Sequence, residues 1–275
     1  MADSRPIGIF DSGVGGLTVA RAILDLLPQE PVLYLGDGAR FPYGPRPLEE
    51  IRRFALEIAE DLVRRDVKMI VVACNSVEVA AISEVTGAAG VPVIGVIDPG
   101  VRAAVRATRN GRIGMIGTEA TVRSGAYERA VAATGARVEL FTRACPAFVE
   151  HVERGDTSSE ELLALARGYL EPLRAAGVDT LILGCTHYPL LSGLISYVMG
   201  DGVVLVSSAE ETAKDVYRAL LQGGLRREDP GAPTHEWLTT GDPEAFRRLV
   251  RRFLGPDVHD VRVARAVPVG GGAWS

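Results

Sequence analysis

Short apolar runs alternate with longer stretches whose apolar residues recur every three or four positions, nearly throughout the chain. The short runs read as strands: Ile7–Phe10, Val32–Leu35, Met69–Ala73, Val93–Val96, Ile113–Ile116, Val138–Phe141, Thr180–Leu183 and Val203–Val206. Between them, Leu17–Leu27, Leu48–Arg65 and Glu160–Ala176 have helical periodicity; in the second, Ile51, Phe54, Ala55, Ile58 and Leu62 fall on one face. Helical patterning resumes after Ser208 and over Pro243–Leu254. Strand and helix in regular alternation is the pattern of βαβ units, so the fold class is α/β with mostly parallel sheets.

Two passages repeat. VVACNS at 71–76 echoes LILGCTH at 181–187, and IGIFDSGVGG at 7–16 echoes IGMIGTEATVRSG at 113–125, each a strand running into a turn with a hydroxyl residue. A duplication gives two pseudo-symmetric α/β domains with a cleft at the carboxyl ends of their strands, where open α/β sheets bind ligands. Turn residues at Asp98-Pro99-Gly100 and the Ser207-Ser208 step mark the crossings. The expected division is 1–97 plus 208–275 for the first domain and 98–207 for the second.

With 275 residues, 47% of them hydrophobic and 24% charged, the chain can bury a large core, which excludes a disordered or fibrous protein. A net charge of −5 argues against nucleic acid or an anionic membrane as a general partner. The start carries no apolar export signal and the longest apolar runs are far short of a membrane span, so the expected location is the cytoplasm. Three cysteines without a CxxC pair, and four scattered histidines, speak against disulfides and a zinc site. The closing VPVGGGAWS reads as a tail.

Cys74 and Cys185 each end an apolar strand and precede a polar residue and a turn, a place where backbone N–H groups favour thiolate. Cys145 fits the ordinary reading of a buried cysteine as a small hydrophobe. Asp11-Ser12 precedes the Gly13-Val14-Gly15-Gly16 turn, whose backbone N–H groups are expected to meet a carboxylate or phosphate. Asp37 after the second strand keeps a nucleotide binder in play, although the GxGxxG string is absent. Asn75-Ser76 and Thr186-His187 add donors and acceptors beside the two thiols. His187, two places from a thiol, suits acid–base assistance, and Phe41-Pro42-Tyr43-Gly44 is a turn with free N–H groups. By pattern alone, Glu150, His151 and Glu153 form a solvated helical face.

Together the strings IGIFDSGVGGLTV, YLGDGARFPYGPR, VVACNS, GTEATVRSGAY, ACPAFVEHVERG and LILGCTHYPLL resemble glutamate racemase, in the aspartate/glutamate racemase family. His187 after Cys185-Thr186 is similar to the glutamate branch rather than the aspartate branch. The resemblance implies a cofactor-independent isomerase that supplies D-glutamate for peptidoglycan, with one cysteine on each face of the substrate: Cys74 acts on the D enantiomer and Cys185 on the L enantiomer. It implies that Asp11 assists the first thiol and His187 the second, with Glu153 and Asp37 as further acidic positions. The implied substrate contacts are Asp11, Ser12, Tyr43, Gly44, Asn75, Ser76, Thr186 and His187. It leaves open a homodimer and a second role on DNA gyrase, which some members bind.

The residues agree with a reaction that needs no cofactor. A pyridoxal enzyme needs a Schiff-base lysine, and neither Lys68 nor Lys214 lies beside the glycine turn. Where the family has small residues after the first cysteine motif, this chain has Val77, Glu78 and Val79, and Gly38 stands at a common threonine position. Glu78, four residues past Cys74, would raise that thiol's pKa if it points inward. The competing readings are a racemase of aspartate or another amino acid, and a low-activity member acting as a binding or regulatory protein.

Overall fold

The computed structural model describes residues 3–229 and 231–255; the terminal VPVGGGAWS lies outside them. The first half runs β1 (Ile7–Asp11), α1 (Leu17–Leu26), β2 (Val32–Gly36), α2 (Leu48–Arg64), β3 (Met69–Val72), α3 (Asn75–Ala89) and β4 (Val93–Ile94). There follow α4 (Ile97–Ala107), β5 (Arg112–Gly117), α5 (Glu119–Arg123), α6 (Ala126–Ala133), β6 (Glu139–Ala144), α7 (Ala147–Glu153), α8 (Glu160–Ala175), β7 (Thr180–Gly184), α9 (Ser192–Met199) and β8 (Val204–Ser207). The chain closes with α10 (Ser208–Gln222), β9 (Glu236–Thr239) and α11 (Pro243–Leu254).

Two sheets form, ordered β4-β3-β1-β2-β9 and β6-β5-β7-β8, and every pairing is parallel. Read from opposite edges, β4-β3-β1-β2 and β8-β7-β5-β6 are the same topology, so the halves are pseudo-symmetric. The echoed strings occupy equivalent strands: VVACNS lies on β3 and LILGCTH on β7, while IGIFDSG lies on β1 and IGMIGTE on β5. Every residue of β1, β2, β3 and β7 is buried, as expected of parallel strands covered by helices on both faces. In α2 the expected stripe Ile51, Phe54, Ala55, Ile58 and Leu62 is buried against the first sheet, sharing a core with Phe10, Ile70 and Val72.

Two expectations are corrected. Asp98-Pro99-Gly100 is no loop but the first turn of α4, where the missing N–H of Pro99 costs no helical bond. The crossing between sheets therefore runs through a helix start. Strand β9 was not foreseen: its four residues, with only Trp237 and Leu238 strongly apolar, show no period and pair onto β2 as an added edge. Helix α10 returns to the first half, where Ala209, Ala213, Val216 and Leu220 share a core with Ile7, Ile9 and Leu17. Among the described residues no helix is long and apolar enough to cross a membrane.

Candidate active site

Strand ends build the site. Parallel strands point their carboxyl ends the same way, so β1, β3, β5 and β7 deliver Asp11-Ser12, Cys74, Thr118 and Cys185 to one region. There a cavity of about 150 Å³ opens between the sheets. Both Cys74 and Cys185 line it, together with Ser12, Tyr43, Gly44, Asn75, Ser76, Thr186 and His187. Cys145 is buried in the second half and does not line it. Hydrogen bonds close the halves over the cavity: Ser76 Oγ and Thr118 Oγ1 lie 2.9 Å apart, and the Ala120 N–H donates to the Gly44 carbonyl at 3.3 Å.

The surroundings of the two thiols differ. Cys74 immediately precedes α3 and lies 3.6 Å from Ser12 Oγ, to which it donates. Burial pushes this thiol up to about 12, with the nearby Asp11 carboxylate adding to the effect and the Val77 N–H opposing it. The expectation that a helix start would favour thiolate therefore fails at Cys74: desolvation and a like charge outweigh one favourable N–H. Cys185 Sγ instead faces His187 Nδ1 at 3.8 Å, and His187 Nε2 reaches Glu153 Oε1 at 2.7 Å. Burial alone would lower the imidazole, but the sulfur on one side and the carboxylate on the other raise it to about 10, so His187 is charged at neutral pH. Glu153, half-buried, is thus tied to the site through His187, and His151 on the same helix is buried against Asp156 at 2.8 Å. The solvated face read from the pattern holds for Glu150, which is exposed on the rim.

Asp11 is fully buried and is not among the residues that line the cavity. Its carboxylate accepts from the Gly13 N–H at 3.0 Å and from Thr186 Oγ1 at 3.3 Å; burial raises its pKa against the opposing pull of His187. The glycine turn meets a carboxylate, that of Asp11 in its own half, and it has a second purpose as well. A Cβ on Gly15 would sit 2.3 Å from Thr186 Oγ1 and 2.6 Å from His187 Nδ1, so the bare backbone admits the second half's site residues. None of the turn's four residues lines the cavity.

Asp37 is likewise no ribose ligand. Its buried carboxylate accepts from Arg40, from the Tyr43 hydroxyl and, at 2.6 Å, from Thr240 Oγ1, which fixes the Tyr43-Gly44 loop on the rim. Glu78 points away from Cys74: its Oε2 accepts from the Val96 and Ile97 N–H groups at 2.5 and 3.0 Å, at the start of α4. Neither lysine is on the cavity wall. Lys68 is buried against Glu30 and the Asp3 and Leu225 carbonyls, and Lys214 pairs with Glu211 at the surface. Among the described residues no group of three His, Cys, Asp or Glu is placed to hold a metal ion.

Sequence reasoning missed Thr118 on the wall, although a signal was present: Thr118 follows β5 as Ser12 follows β1, in the echoed turn. Phe41 and Pro42 of the turn singled out above also line the cavity, as do Pro146 and Val149, whose chemistry could not have marked them.

Paired thiols at equivalent ends of two duplicated sheets, facing one small cavity, suit an enzyme that works on both faces of a substrate. The model of the Asp/Glu/Hydantoin racemase family matches residues 15–216, and the protein is an amino-acid racemase, an isomerase. Glutamate racemase of Beutenbergia cavernae is 60% identical over 96% of this chain and 94% of its own. In structure, glutamate racemase from Bacillus anthracis matches with a TM-score of 0.89 at 40% identity, covering 94% of this chain and 96% of that one. The Francisella tularensis enzyme, solved in complex with D-glutamate, matches with a TM-score of 0.89 at 32% identity, over 96% and 98%. The chain belongs to the glutamate racemase family.

Proposed function

We propose that the protein interconverts L- and D-glutamate in the cytoplasm, supplying the D enantiomer for peptidoglycan, by moving one proton on and one off the α-carbon between Cys74 and Cys185. One observation carries this reading: both thiols, from opposite sheets, line the same cavity. The division expected from the sequence, 1–97 with 208–275 and 98–207, then becomes two domains that close on the substrate. The shared core of α10 and β1 supports it.

An α-proton is very weakly acidic, so the carbanion needs fixed polar groups in a site shielded from water. Ser12, Asn75, Ser76, Thr118 and Thr186 supply them. With L-glutamate bound, Cys185 as thiolate takes the α-proton, and the electron pair left on the α-carbon spreads into the carboxylate. Cys74 then delivers its own proton to the opposite face, giving D-glutamate, a Cys185 thiol and a Cys74 thiolate. The reverse reaction starts from that thiolate. A Cys74 thiol pushed up to about 12 is well suited to hold its proton until the carbanion forms. His187 sets a positive charge beside the sulfur that must become negative, and Glu153 holds that charge in place. Asp11, bonded to Thr186 and close to Cys74, fits a helper whose carboxylate accepts the proton of the first thiol, leaving the thiolate that acts as base.

The test is circular dichroism of L- and D-glutamate with purified protein and no added cofactor. Each enantiomer should decay to the racemate in deuterium oxide with deuterium at the α-carbon. Cys74→Ala and Cys185→Ala should each lower racemisation by at least about 10²-fold. The remaining thiol should still exchange the α-proton of one enantiomer, L for C74A and D for C185A. Racemisation that survives either substitution rejects the two-thiol route, and turnover of aspartate in preference to glutamate rejects the substrate.

A further inference from the structure

Asn75 follows Cys74, opens α3, and lies on the cavity wall with 3% of its surface exposed. The two ends of its amide are treated differently. Oδ1 accepts a 2.7 Å hydrogen bond from the Tyr127 hydroxyl, whereas Nδ2 is buried and has no partner among the described residues. A buried N–H left unpaired costs about 1–3 kcal/mol, so such a group in a binding cavity calls for a ligand acceptor. An amide nitrogen only donates. The ammonium of an amino acid only donates too, which leaves a carboxylate oxygen as the group for Nδ2.

Tyr127 comes from the other half of the molecule, on α6, and is fully buried. Burial pushes its phenol well above the ordinary range, with Glu78 and Cys185 adding to the effect, so it keeps the proton it donates. Its path to Asn75 runs beside Gly184, where a Cβ would stand 3.2 Å from the phenol oxygen and 2.8 Å from the Ile116 carbonyl. The glycine directly before one catalytic cysteine thus leaves room for a hydroxyl that grips the residue directly after the other.

We propose that Tyr127 is a positioning residue: it fixes the Asn75 amide from across the cleft so that Nδ2 is presented to a substrate carboxylate. This role rests on the glutamate racemase reading. The experiment compares kcat and KM for both enantiomers in the wild type, Y127F, N75A and the double variant. Phenylalanine keeps the buried ring. Y127F should raise KM about tenfold for L- and D-glutamate with a smaller change in kcat, the loss of one hydrogen bond to a freed amide. In the N75A background the same substitution should change KM less than about twofold, because Tyr127 acts through Asn75. An unchanged KM in Y127F, or a tenfold loss that persists beside N75A, overturns the proposal.

A second measurement needs no altered tyrosine. In the ¹⁵N spectrum of the wild type, the side-chain amide signal that is missing from N75A should shift when D-glutamate is added. A signal that stays put overturns the proposal even if Y127F does not fold. A wild type inactive on glutamate rejects the racemase reading and this role with it; an active wild type without the coupling rejects Tyr127 alone.

Discussion

Cys74 and Cys185 stand at equivalent strand ends, yet their neighbours differ. Asp11 and burial keep the first protonated, while the second faces an imidazolium backed by Glu153. The raised value of His187, about 10, means that its charge is complete at neutral pH and is lost as pH rises through that value. Activity should therefore fall on the alkaline side. Mirror-image substrates have equal free energies, so kcat/KM must fall equally in both directions. Glu153→Gln keeps an acceptor for His187 Nε2 but removes the carboxylate charge, and should move the alkaline limb down by roughly one to three pH units. A pH–rate profile of E153Q that superimposes on the wild type would show that Glu153 does not hold the imidazolium.

Helix starts do much of the positioning. The α3 start places Cys74, Asn75 and Ser76 on the wall, and the α4 start is held by Glu78, whose Oε2 meets the Val96 and Ile97 N–H groups. An ionised carboxylate suits a helix N-terminus, but burial dominates here and raises Glu78 from 4.5 to about 7. Because the folded value lies above the unfolded one, the native state binds more protons between those limits, and stability falls as pH rises from about 4.5 to 7. Glu78→Gln can keep both bonds through its carbonyl oxygen without the charge. It should flatten that dependence and gain about 1–3 kcal/mol over the wild type at pH 8, read by urea unfolding at pH 5 and pH 8. A wild type whose stability does not fall over that window would refute the assignment. The same contact explains why Glu78 leaves Cys74 alone despite lying one helical turn away.

At the scale of the whole molecule, the site exists because two sheets of the same topology meet strand end to strand end. Among the described residues a short set of side-chain and loop bonds spans the cavity, including Ser76 to Thr118, Thr186 to Asp11 and Tyr127 to Asn75. A substrate that touches both walls adds to that short inventory. Glutamate at about a hundred times its Kd should stabilise the fold by about 2.7 kcal/mol and raise Tm by roughly 5–10 °C. The C74A variant, which keeps the cavity, should show a similar rise. No rise with either enantiomer at saturating concentration would separate the cavity from glutamate.

Strand and helix periods, the duplicated strings and the polar residues after each cysteine are local properties, and they are enough to identify the α/β class, the pseudo-symmetry and the two thiols with their polar neighbours, while the resemblance to a family supplied the set of expected substrate contacts. The direction of each buried group was not local. Whether Glu78 faces Cys74 or α4, how closely the glycine turn approaches His187, and whether a helix start yields thiolate all depend on what packs against the residue from elsewhere in the chain. Desolvation and charge are set by those distant neighbours. Strand β9 likewise has too little pattern of its own to be read, and becomes a strand because β2 offers it an edge. The sequence determined which groups arrive at the cleft; tertiary packing decided their protonation and their partners, because electrostatic free energy depends on distance and burial in space and not on separation along the chain.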